Sequence, residues 1–214
     1  MLPLKLGDPG RPVTVLCIGA HCDDIEIGCA ATLVRWSREY AGARFVWAIF
    51  AGDPARAPES RNAAAQLLGA NVELRFFDFP DRFFFTQAER VKSSFDELKR
   101  SVAADVVLTH RLEDRHQDHR LLADLTWNTF RSHLVLEYEI PKYEGDLGHP
   151  NVYVPLDAAD LDRKIRCLME CFPSQRGRDW FSPDTFRGLA RIRGIECNAP
   201  SGFAEAFHGR KLQM

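Results

Sequence analysis

An α/β domain with a mostly parallel sheet and helices on both faces, a three-layer sandwich, is the fold predicted for this chain of 214 residues. Two observations predict it. Apolar runs of strand length alternate with segments of helical period through the first two thirds of the chain. The first of these runs, residues 13–18, is apolar almost throughout, as expected of a strand covered on both sides. A composition of 45% hydrophobic and 27% charged residues is that of an ordinary globular protein able to bury one sizeable core, so residues 1–214 are read as a single domain.

Each element has its own signature. After the strand at 13–18 comes the polar turn His21-Cys22-Asp23-Asp24. Ile25, Cys29, Leu33 and Trp36 then recur at helical spacing, with Gly28 and Thr32 on the same side. A second strand fits residues 45–50. A loop at 52–58 rich in Gly, Pro and Asp leads into a helix that stops at Gly69. A third strand covers 72–77, a helix 87–102, and a fourth strand 106–108. A charged loop follows, then a helix with Leu122, Ala123, Thr126 and Phe130 on one side. Beyond it the pattern is less regular, with strands at 134–139 and 152–154 and helices at 157–171 and 183–193.

The bulk numbers exclude several classes. The formal charge of −2 leaves no basic excess for nucleic acid or an anionic membrane. No apolar run approaches the roughly 18 residues of a membrane span, and residues 1–12 do not read as a secretion signal. The cytoplasm is the expected compartment, and there the six cysteines are expected as free thiols.

Ligands of open parallel sheets bind beyond the carboxyl ends of the strands. Two groups of metal-binding side chains fall at such ends: His21-Cys22-Asp23-Asp24 after the first strand, and the stretch from His110 to His119 after the fourth. In a doubly wound sheet these strands are neighbours, so the groups face each other across one crevice. Imidazole and carboxylate suit zinc, and a catalytic zinc takes three protein ligands and leaves a place for water. His21 and Asp24, three apart at a helix start, can point to one spot, and His119 can supply the third ligand. Helix capping is the alternative use of Asp23 and Asp24. A hydrolase also needs a base, for which Asp23 is placed, and a donor for the oxyanion or the leaving amine. His116 is the candidate donor, with Asp118 to hold its ring and favour the protonated form. That pairing requires a turn at His116, with the helix beginning near Asp118 and His119 in its first turn.

These residues resemble the LmbE-like (PIG-L) N-acetylglucosaminyl deacetylase family. Ala20-His21-Cys22-Asp23-Asp24 followed by Gly28-Cys29-Ala30-Ala31-Thr32-Leu33 is similar to that family's AHPDD…GCGGTL. Asp114-Arg115-His116-Gln117-Asp118-His119 is similar to its DxHxDH. Weaker likenesses lie at Arg56 and Glu59, Leu68-Gly69, Pro80-Asp81, Ser174-Gln175, Arg193-Gly194 and residues 204–207. The resemblance implies a Rossmann-like sandwich with zinc on His21, Asp24 and His119. It also implies Asp23 as general base, His116 with Asp118 as the electrophilic or acid partner, and removal of acetyl from N-acetylglucosamine-type substrates. The expected partner is therefore a small N-acylated sugar or glycoconjugate. Fe2+ or another divalent ion also suits the donor set. Cys22 stands where the family usually has proline, which puts a thiol beside the metal as an extra ligand, an oxidation-prone neighbour or a tolerated small residue.

Other residues carry less. Arg56 is a candidate substrate contact or a solvated loop charge. His110 and Glu205 are candidates to support the site; the alternatives are a polar strand end for His110 and a cap or surface pair for Glu205. The stretch 76–85 holds six phenylalanines, read as core plus a subunit contact that leaves a homo-oligomer open, with a wall of the sugar site as the alternative. Two rival functions stand beside the sugar deacetylase: an amidohydrolase for another N-acyl compound such as an antibiotic or lipopeptide, and a non-catalytic Rossmann-like binding module. The absence of GxGxxG in the first turn counts against the second.

Overall fold

The computed structural model describes residues 4–6 and 11–212. These residues form one sheet of β1 (Thr14–Gly19), β2 (Arg44–Ile49), β3 (Val72–Phe76), β4 (Val106–His110), β5 (Leu134–Tyr138), β6 (Val152–Pro155) and β7 (Ala204–Gly209), in the order β3-β2-β1-β4-β5-β7-β6. β1 to β5 are parallel. β7 enters antiparallel between β5 and β6. The helices are α1 (Asp24–Glu39), α2 (Ala57–Leu68), α3 (Ala88–Ser101), α4 (Gln117–Thr129), α5 (Ala158–Cys171) and α6 (Pro183–Glu196). The predicted three-layer α/β architecture is the one observed, and β7, which sequence reasoning did not recognise as a strand, is the addition.

The alternation of side chains across the strands builds two cores. Val15, Cys17, Phe45, Trp47, Ile49, Val106 and Leu108 belong to the core shared with α1, α2, α5 and α6. Leu16, Ile18, Val46, Ala48, Phe50 and Val107 belong to the one shared with α3 and α4. Burial on both faces explains why these strands read as unbroken apolar runs. The phenylalanine-rich stretch divides between the two environments. Phe79 and Phe84 are buried, and Phe50 stacks on Phe77 at 4.7 Å between ring centroids; Phe83 and Phe85 remain exposed.

Helix α1 is held in an unusual way. The carbonyl of Ile27 accepts a hydrogen bond from Lys164 of α5. Ala31 N–H donates to Glu205 Oε1 of β7 at 3.2 Å, and Thr32 N–H donates to Oε2 at 2.7 Å. Lys164 and Glu205 pair at 2.6 Å, both buried. Glu205 thus fastens the last strand to the middle of the first helix, an inward structural role rather than a surface pair. At Gly28 the helix passes directly under the ring of Tyr138, where a Cβ would lie 2.6 Å from Cγ. Tyr138 in turn donates from its hydroxyl to the Ile18 carbonyl at the end of β1. The first strand, the first helix and β5 are locked together beneath the crevice.

Candidate metal centre

β1 and β4 are parallel neighbours, and the chain leaves β1 into α1 in one helical layer and β4 into α4 in the other, which opens a crevice beyond their carboxyl ends. His21 lies in the turn after β1, and Asp23 stands at the N-cap position of α1, without a side-chain cap bond, before its first residue, Asp24. His116 has extended backbone and caps α4, so His119 falls in the first turn of that helix, as expected. The crevice holds a cavity of about 150 Å³, lined by His21, Asp23, Asp24, Arg56, His116 and His119 together with residues of three loops.

Three donors from the two distant stretches converge. His21 Nδ1 is 3.4 Å from Asp24 Oδ2, His119 Nε2 is 3.6 Å from the same oxygen, and the two ring nitrogens are 3.2 Å apart. A tetrahedral ion with bonds of about 2.1 Å has ligand edges of about 3.4 Å. The far side of each ring faces a carboxylate. Asp114 Oδ2 lies 3.0 Å from His119 Nδ1, and Asp81 Oδ1 lies 2.9 Å from His21 Nε2, with Asp118 Oδ2 at 3.4 Å. A carboxylate on one nitrogen of a neutral imidazole holds the proton there and leaves the other nitrogen with its lone pair. Two ring nitrogens and a carboxylate oxygen aimed at one point are reconciled by a proton on His21 or by a cation among them. The donor set therefore fits a divalent metal.

The electrostatics agree. Burial opposes the charged form of Asp24, yet His119, His110 and His21 outweigh it and hold its carboxyl well below the usual range. Burial likewise works against a charged His21, but Asp24, Asp118 and Asp81 raise its pKa well above the ordinary value. The same carboxylates that suit a dication hold a proton on that ring. Burial and the adjacent His110 push His119 down to about 4, so its ring is neutral at neutral pH.

Asp23 is buried, and its carboxylate meets Arg56 at 3.0 Å. Burial raises its pKa against the pull of Arg56. Arg56 therefore sits in the cavity wall, engaged to Asp23. The expected His116–Asp118 contact takes another form. The Asp118 N–H donates to His116 Nδ1 at 3.3 Å, a helix cap. Its carboxylate turns to the loop after β3, accepting from Arg82 N at 2.6 Å and Phe84 N at 3.3 Å. Unpaired amides of that loop capture a side chain that begins in the first turn of α4. Burial and nearby His21 lower the pKa of His116, so the ring is shifted toward the neutral form rather than the protonated one. With Nδ1 accepting, the proton of the neutral ring is on Nε2.

Cys22 lies outside this arrangement: its thiol donates to the Ala51 carbonyl, and burial pushes its pKa up to about 12. His110 is fully buried and stacks on His119 at 3.9 Å. Its Nε2, 3.3 Å from Asp24 Oδ2, already accepts the Ala20 N–H at 2.9 Å, which removes its lone pair from metal binding. Sequence reasoning gave no role to Asp114, Lys142 or Asp146. Lys142 Nζ bridges Asp114 Oδ2 at 2.9 Å and Asp146 Oδ1 at 2.8 Å, so the carboxylate that orients His119 is itself held from the loop after β5. The acid at the start of the second motif was the one available signal.

Residues 16–130 match the family described as PIG-L, GlcNAc-PI de-N-acetylase. The chain belongs to this family. It is 33% identical over 139 residues to the uncharacterized deacetylase YaiS of Escherichia coli K12, covering 59% of this chain and 74% of that protein. Its fold is similar to that of N,N'-diacetylchitobiose deacetylase from Pyrococcus horikoshii, with a TM-score of 0.70, 18% identity, and coverage of 92% of this chain and 83% of that one. It is also similar to that of GalB, the 4-carboxy-2-hydroxymuconate hydratase of Pseudomonas putida KT2440. There the TM-score is 0.75 at 17% identity, covering 94% and 98% of the two chains. Among the described residues no helix is long and apolar enough to cross a membrane.

Proposed function

We propose that this deacetylase-family chain is a zinc-dependent N-deacetylase of the cytoplasm acting on an amino-sugar substrate, with His21, Asp24 and His119 as ligands. The observation that carries the reading is the convergence of those three donors at 3.2–3.6 Å beside a buried carboxylate, Asp23. A bound Zn2+ or Fe2+ supplies Lewis acidity toward the acyl carbonyl and lowers the pKa of water toward about 7. Asp23 takes the proton of the attacking water; its raised pKa brings it closer to the working range of a base. Arg56 keeps that carboxylate aimed and contributes positive charge to the substrate-facing wall. His116 offers Nε2–H to the developing oxyanion, a role that the neutral ring performs, and Asp118 fixes its tautomer through the backbone. Asp23 then returns the proton to the leaving amine, and acetate and the free amino sugar result.

The test is acetate release from a panel of N-acetylated amino sugars by the metal-loaded protein. Release is expected, to be abolished by a chelator and restored by Zn2+ or Fe2+. A protein that binds one equivalent of metal and frees no acetate from any member of the panel would refute the proposal. Hydration of an activated double bond, the class of reaction named for the Pseudomonas protein of similar fold, could use the same base and would leave the panel untouched.

A further inference from the structure

The cavity wall that carries Asp23 continues, side chain to side chain, into the segment before α6. Asp23 meets Arg56 at 3.0 Å, and Arg56 Nε lies 3.8 Å from Oε2 of Glu59, in the first turn of α2. Glu59 is buried and takes both donors of Ser174, the N–H at 2.9 Å on Oε1 and the hydroxyl at 2.6 Å on Oε2. Ser174 Oγ in turn accepts from Gln175 Nε2 at 3.1 Å. Gln175 is only 4% exposed, and it lines the cavity together with Asp23 and Arg56.

The direction of this chain is set at its carboxylate end. A carboxylate only accepts, so the Ser174 hydroxyl gives its single proton to Glu59 and has only lone pairs left for its neighbour. The group of Gln175 that faces Ser174 must therefore be its NH2, which turns the amide oxygen the other way. Among the described residues nothing donates to that oxygen. The backbone is fixed on both sides: Gln175 N–H donates to the carbonyl of Phe172, a fully buried residue, and the Gln175 carbonyl accepts from Arg178 N–H.

The nearby acceptors of the wall are engaged. Asp23 is held by Arg56, Asp24 is a proposed ligand and Asp81 meets His21. Glu144 stands exposed on the rim. Gln175 thus offers a neutral, buried acceptor on the wall shared with the proposed base. An acceptor left without a donor in such a place is unfavourable, and a ligand hydrogen reaching it removes that penalty.

We infer that Gln175 is a specificity-determining residue whose amide oxygen accepts a hydrogen bond from an O–H or N–H of the bound ligand. Ser174 and Glu59 are the positioning residues that hold the oxygen inward. The inference rests on the amino-sugar reading for the choice of ligand, but not on the chemistry proposed there.

The test is calorimetric binding to the metal-loaded protein, using sugars with no acetyl group to lose: glucosamine, glucosamines that each lack one hydroxyl, and 2-deoxyglucose, which lacks the amine. One of these deletions is expected to weaken binding about 10-fold in the parent protein, and which one does identifies the donor. In Gln175→Met, which keeps the length of the side chain and loses the acceptor, the same deletion should weaken binding less than about twofold. Ser174→Ala keeps Gln175 but frees its amide to turn, and should give a penalty between the two. Ser174 is exposed, so its loss should leave folding intact. The inference is overturned if no deletion is penalised more in the parent than in Gln175→Met, or if Ser174→Ala discriminates as sharply as the parent. Acetate release without a Gln175-dependent penalty would remove this contact and leave the proposed chemistry standing. The penalty without acetate release would do the reverse.

Discussion

Replacing Asp114 with Asn tests the link between the loop after β5 and the metal. Asp114 is buried, with one oxygen 3.0 Å from His119 Nδ1 and 2.9 Å from Lys142 Nζ. Burial works against its charge, yet His119 and Lys142 hold its carboxyl well below the usual range, so it is ionised at any pH at which the protein works. The other oxygen accepts the His116 N–H at 2.8 Å. An amide offers only one oxygen. Kept toward His119 and Lys142, it leaves the NH2 group against the His116 N–H, donor against donor. Turned over, it sets the NH2 group against Lys142 and His119 Nδ1, which must then accept, so that the ring proton moves to Nε2, where the lone pair for the metal should be. In either orientation a donor loses its acceptor and Lys142 loses a counter-charge. Loss of such a carboxylate typically weakens metal binding 10- to 100-fold, or about 1.4–2.7 kcal/mol. Competition for Zn2+ against a chromophoric chelator measures it directly. A mutant within about threefold of the parent Kd would refute the reasoning.

Asp23→Asn should retain metal, because Asp23 is not among the converging donors, and should lose about 10²–10⁴-fold in kcat, read by acetate release alongside metal content. Gly28→Ala places a methyl within 2.6 Å of Tyr138 Cγ and should lower stability by about 1–3 kcal/mol, a fall in Tm of several degrees in a thermal melt. His208 is pushed down to about 4, first by burial and then by Arg111. The unfolded chain therefore binds a proton between pH 6.5 and 4 that the folded one does not, and stability must fall as pH drops through that window, by at most about 3 kcal/mol. His208→Gln should flatten this part of a urea-denaturation pH profile; an unaltered slope would mean that other groups carry it.

Much of the site was legible because its chemistry is concentrated. His21 to Asp24 and His116 to His119 each follow a strand, and the strand alternation was enough to make those strands neighbours. What was not legible depends on side chains that travel. Asp118 shares a motif with His116, but the free amides of Arg82 and Phe84 compete for its carboxylate, and no local pattern foretells which wins. Lys142 reaches Asp114 from a loop 28 residues away, with no spacing that would mark it. β7 was missed because Glu205 and His208 interrupt a short stretch that would otherwise alternate; the acid is inward because Lys164 and two amides of α1 await it.

That last contact spans 174 residues. During synthesis both motifs leave the ribosome well before Glu205 does, so a nascent chain holding every proposed metal donor still lacks the carboxylate that meets two amides of α1. Such long-range closure is slow to form. A deletion of residues 204 onward would spare the whole matched region, 16–130, and still strip its first helix of the Glu205 contact. The first helix thus gains this support only when residues 204–209 fold back upon it.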